Sequence, residues 1–140
     1  MVQLEAVYSE LKRQNISLYV YDVGPEKSVT MEVNKKYAVF IDPFRIDSIS
    51  EIKRVLIHET GHCATGCTHR VSSPLDLIAK HEYKANRWAI EHYIPFKELQ
   101  DAISQGYTEK WQISEYFDLP ESFIEKAISY YFIAKEKKIG

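Results

Sequence analysis

The chain has 140 residues, of which 45% are apolar and 27% charged, with a formal net charge of −2. That is enough material for one core burying somewhat under ~70% of the unfolded surface, and the balance excludes wholesale disorder. Mild acidity gives no general reason for a nucleic-acid backbone as partner.

No apolar run approaches the ~18 residues of a membrane span. Met1-Val2-Gln3-Leu4-Glu5 has neither the basic start nor the apolar core of a signal peptide, so a cytoplasmic protein is expected. Cys63 and Cys67, four apart, lack the framework of a disulfide-rich secreted fold and are expected to be reduced thiols.

Leu4, Val7, Tyr8 and Leu11 recur at helical spacing, predicting a short amphipathic helix over residues 3–14. Residues 16–23 are β-branched and aromatic and are stopped by Gly24-Pro25, which reads as a strand. Val29, Met31 and Val33 alternate with Thr30 and Glu32, the pattern of a strand with one wet face. After a turn at Asn34-Lys35-Lys36, residues 37–41 read as a strand buried on both faces. The short turn predicts antiparallel pairing of these two, with the alternating strand at the sheet edge, its polar face toward solvent.

Ser48-Ile49-Ser50-Glu51 has the form of a capping box and predicts a helix start, and Gly66 predicts its left-handed end. Inside that helix lies His58-Glu59-Thr60-Gly61-His62. Two histidines four positions apart share one helix face and can reach one metal ion. Glu59 sits about 100° around the helix from His58, free to miss the metal and hydrogen-bond a water held there. Composition alone would produce such a pentad in roughly one or two chains in a hundred, so the weight falls on a third ligand. Cys63 falls on the apolar stripe and reads as a small buried hydrophobe.

A catalytic zinc takes three protein ligands and keeps one position open. Candidates for the third are His69, His81, Glu82 and His92. Residues 76–93 predict a second long helix, bracketed by Pro74 and Pro95, which carries Glu82, Ala85, Asn86 and Ala89. The two alanines would let this helix approach the first closely. Asn86, one turn after Glu82, would hydrogen-bond a ligand histidine and fix its tautomer. A metzincin layout does not fit, since Gly66 and His69 each fall one place late.

Further helices are predicted near residues 96–103 and 108–117, then, after a turn at Asp118-Leu119-Pro120, a last one with Ile124, Ala127, Ile128 and Tyr131 along one side. That pair has the cadence of a DNA-binding helix-turn-helix. Its second helix opens with Glu121 and Glu125 where phosphate contacts would need Lys or Arg, so it reads as a packing hairpin or a protein-recognising surface.

His58-Glu59-Thr60-Gly61-His62, residues 82–89 with the Ile94-Pro95 exit, and the 113–120 turn together resemble the ImmA/IrrE-type metallopeptidases of phages and mobile elements. The resemblance spans about residues 10–135. It implies an α+β, zincin-like fold: a small antiparallel or mixed three-stranded sheet on the His-Glu-x-x-His helix and a second ligand helix, with a helical carboxy-terminal hairpin. Residues 1–140 would be a single domain, 1–104 the catalytic core and 105–140 an extension packed on it.

The resemblance further implies His58, His62 and Glu82 as ligands of one zinc ion and Glu59 as general base of a peptide-bond hydrolase. Its implied substrate is a helix-turn-helix repressor. The oxyanion donor is open: His69 and Tyr93 lead, with Tyr83, His81 and His92 as alternatives. The competing functions are a zinc-stabilised protein that sequesters a repressor without cutting it, and a DNA-binding regulator.

Overall fold

The computed structural model describes residues 1–22, 27–34, 36–66 and 75–134. Helix α1 (Leu4–Arg13) leads into strand β1 (Ile16–Val20), and strands β2 (Ser28–Val33) and β3 (Lys36–Ile41) follow. Helices α2 (Ile49–Ala64), α3 (Leu75–Tyr93), α4 (Phe96–Ser104), α5 (Lys110–Phe117) and α6 (Glu121–Ser129) complete the described part, with a wider π turn at Tyr130–Ala134. The class is α+β, with a small mixed sheet. No described helix is long and apolar enough to cross a membrane.

The sheet order is β1-β3-β2. β3 pairs antiparallel with β2 through the turn at Asn34, whose φ of 52° is the left-handed conformation asparagine tolerates. β1 pairs parallel with β3, and α1 packs against both β1 and α2. β2 therefore lies at an edge, as its alternation predicts.

Two strand expectations are overturned. In the register Thr30 faces Val39 and Glu32 faces Tyr37, so the polar residues of β2 share the inward face of the sheet with Val39 and Ile41, both buried. The apolar side of β2 lies on the opposite face, where Met31 is 49% exposed and Val29 half-buried, while Glu32 on the first face also reaches solvent. The physical reason lies beneath the strand: α2 presents a carboxylate there, and a strand over a carboxylate needs polar side chains. β3 is likewise covered on one face only. On the other, Phe40 is half-buried, stacked on Tyr19 with centroids 5.2 Å apart and met edge-on by Tyr21.

α2 is the central helix. Ser48 Oγ accepts from the Glu51 amide at 3.1 Å, so half of the capping box forms. The Glu51 carboxylate turns instead to Arg54, accepting from Nε at 2.9 Å and Nη2 at 2.6 Å. From Val55 to Ile57 and again from Thr60 to Cys63 the helix is buried, which is wider than a single stripe. Ile49, placed on that stripe by helical geometry, is exposed near the helix start. At the other end Gly66 adopts φ 65°, the expected left-handed cap.

The hairpin α5–α6 packs through Phe117, Leu119, Phe123, Ile124 and Ala127, all buried. Asp118 ends α5 in the left-handed region, φ 56°. Val2 donates its amide to the Phe117 carbonyl at 2.8 Å. Val2 also accepts, through its own carbonyl, from the ammonium of Lys53 at 2.9 Å, and that ammonium pairs with Asp118 Oδ2 at 2.6 Å. Lys53, on α2, is only 1% exposed. A buried cation needs partners, and these two tie the chain's first residues, the central helix and the hairpin together. At the far end Tyr131 donates to the Ile94 carbonyl at 2.8 Å, locking the end of α6 onto the end of α3.

Candidate metal centre

α2 and α3 cross with unusually little between them. At Gly61 an added Cβ would lie 2.5 Å from the Ala85 carbonyl oxygen, and Ala85 and Ala89 are wholly buried. The small side chains of α3 are as expected. The glycine, occupying one of the two unspecified positions of the pentad, was not singled out by the sequence, yet it sets the helix separation.

That separation brings His58, His62 and Glu82 together, one ligand atom from each lying within 4.8 Å of the others. Glu82 bridges both rings, Oε2 at 3.0 Å from His58 Nε2 and Oε1 at 2.9 Å from His62 Nε2. The two Nε2 atoms are 3.2 Å apart. Ligands about 2.0–2.1 Å from a tetrahedral metal stand roughly 3.3 Å from one another, so the spacing is within a few tenths of an ångström of that required. Two imidazoles and a carboxylate are also a donor set that a divalent transition metal accepts. The residues fit a metal ion.

His58 Nδ1 lies 3.2 Å from Asn86 Oδ1. An amide oxygen can only accept, so Nδ1 is protonated, and Nε2 offers a metal its lone pair once it gives up the proton it shares with Glu82. Hydrogen bonds from His58 and then His62, against a smaller opposing effect of burial, hold the Glu82 carboxyl far below the usual carboxylate range. It is therefore an anion, ready to ligate.

Glu59 projects toward the sheet. Its Oε2 accepts a hydrogen bond from the Thr30 hydroxyl of β2. Thr30 is thus a site residue that its place in an alternating strand concealed. Cys63 is 6% exposed and forms no part of the ligand group; burial, reinforced by Glu59 and Glu32, pushes its thiol up to about 12.

Of the donor candidates, Tyr83 is half exposed on α3 beside Glu82 and lines a cleft of about 230 Å³ with Asn86. Tyr93, ranked among the first, is displaced from the centre. It is three helical turns past Glu82, about 16 Å along α3. There burial, then the nearby Glu10 carboxylate of α1, push its hydroxyl well above the usual phenol range. His92 is also at that end, stacked on Trp88 with its Nε2 3.7 Å from Glu10 Oε2. His81 is half-buried on α3. His69 and Cys67 lie outside the described residues.

Comparison with protein-family models, with curated proteins and with solved structures returned no match.

Proposed function

We propose that this chain is a zinc-dependent endopeptidase with a zincin-like core, of the ImmA/IrrE type that its motifs resemble, acting on a helix-turn-helix repressor. The observation that carries the reading is the convergence of His58, His62 and Glu82, with Glu59 held beside them by the edge strand. His58, His62 and Glu82 would hold the ion, which supplies a Lewis acid to polarise a carbonyl and acidify a water molecule.

The chain's own residues do the rest. Glu59 takes the proton of the attacking water and delivers it to the departing amine, a general-base and then general-acid role suited to a carboxylate one residue from a ligand. Thr30 occupies one of its oxygens and leaves the other for that transfer. Asn86 keeps the His58 proton on Nδ1 throughout. β2 pairs only with β3 among the described strands, so its outer edge can receive an extended peptide as a further strand beside Glu59.

The test is to incubate the zinc-loaded chain with a panel of helix-turn-helix repressors, any encoded in its own genome neighbourhood first, and read the products by mass spectrometry. Cleavage at one site, abolished in Glu59→Gln while zinc is retained, is the expected result. Cleavage that persists in Glu59→Gln overturns the mechanism. Repressor inactivated equally by both proteins, without fragments, points to sequestration instead.

A further inference from the structure

The 230 Å³ cleft that shares Asn86 with the metal centre lies between α3 and α6. Its walls include Tyr83, Ile90 and Tyr130, and two cations, Arg87 of α3 and Lys126 of α6, reach it from opposite sides. With helical geometry placing Glu82 at 0°, Asn86 falls at about 40°, Ile90 at 80° and Arg87 at 140° around α3. The cleft is therefore the neighbouring sector of the same helix, reached directly from the ligand face.

Several cations gather on this flank. Burial alone would raise Glu51 on α2. The Arg54 hydrogen bonds, with the charges of Arg54, Lys27 and Lys126, hold it lowered instead. Three cations thus act on one carboxylate, and Arg87 lines the same cleft as one of them, Lys126. Of the acids nearby, Glu91 accepts from the hydroxyl of Tyr130 in the cleft wall, and Glu125 pairs with Lys110. Arg87 and Lys126 form no ion pair within 4 Å among the described residues.

We infer that this cleft is a specificity pocket for an acidic side chain of the peptide substrate, best filled by glutamate. The inference rests on the reading that the centre works on peptides. An apolar wall suits the two methylenes of glutamate, and a guanidinium and an ammonium lining one cleft suit its carboxylate, with the planar fork of Arg87 supplying direction. Aspartate is a methylene shorter and reaches less far.

The test uses zinc-loaded, full-length Glu59→Gln protein, which binds without turnover, and a library of acetylated, C-terminally amidated decapeptides. Captured peptides enriched in glutamate at one position, with the enrichment falling about tenfold in the Arg87→Gln, Lys126→Gln double variant and weakening with added salt, are the expected result. No acidic enrichment, or enrichment unchanged in the double variant, overturns the pocket. Enrichment only in a parallel library with free carboxyl termini also overturns it, since the anion is then a chain end. The two readings separate cleanly. Glutamate-selective capture without any cleavage by the parent protein leaves the pocket standing and removes the peptidase; cleavage indifferent to glutamate does the reverse.

Discussion

The hydroxyl of Thr30, in the edge strand, donates to Oε2 of Glu59, in the central helix. The strand that would align a substrate and the carboxylate that would move its proton are thereby one mechanical unit. Thr30→Val keeps the shape and β-branching but removes the donor, leaving Glu59 free to rotate. Turnover is expected to fall about tenfold or more, in the range seen when a supporting hydrogen bond at a metal site is removed, with Thr30→Ser close to the parent. Zinc affinity, read by competition with a chelating dye, is expected to hold in both. A valine variant that turns over normally, or one that loses zinc, contradicts this role.

Gly61→Ala tests the helix crossing. Alanine favours an isolated helix by about 1 kcal/mol, but here its Cβ meets backbone, the Ala85 carbonyl oxygen, which cannot swing aside. Overpacking of this kind costs about 1–3 kcal/mol, so net destabilisation is expected in urea, together with weaker zinc binding because the ligand helices part. A variant as stable as the parent would show that the crossing has slack.

Cys63 offers a test by pH. Its folded pKa, about 12, lies above the ordinary 9.0, so the fold favours the neutral thiol. The stability this contributes is complete below pH 9 and is lost as pH rises from there toward 12. In a Cys67→Ser background, iodoacetamide at pH 8 is expected to label the folded protein far more slowly than the urea-unfolded chain. Equal rates would place the thiol in solvent.

Lys53→Met probes the buried cation. The variant fills similar volume but leaves the Val2 carbonyl without its donor, an expected loss of about 1–3 kcal/mol by urea titration. Asp118 is half exposed and keeps its water, so Asp118→Asn, which also tolerates the left-handed backbone, is expected to cost less. If the two losses are equal, the ion pair and not the Val2 carbonyl dominates.

Much of the centre could be read in the chain because helices carry their geometry in their spacing. His58 and His62 are one turn apart, and Glu82 with Asn86 repeats that interval on a helix of small residues, so the α2–α3 pairing follows from periodicity. Strands carry less. Alternation in β2 shows that its two faces differ, but which one turns inward depends on what lies beneath, and Glu59 is 29 residues away in sequence. Gly61 was hidden for another reason: its function is an absent side chain, visible only once Ala85 is placed against it. Tyr93 stands at the other limit: a phenol of suitable chemistry, with three turns of helix between it and Glu82.

Val2 stands far ahead of its partners Phe117 and, through Lys53, Asp118 in the chain. The knot around Lys53 can therefore close only after the α5–α6 turn has been synthesised. Until then the ligand helix carries an ammonium without its Asp118 partner. His58, His62 and Glu82 all precede that turn in the chain, so the segments that form the centre are made before the contacts that lock the fold.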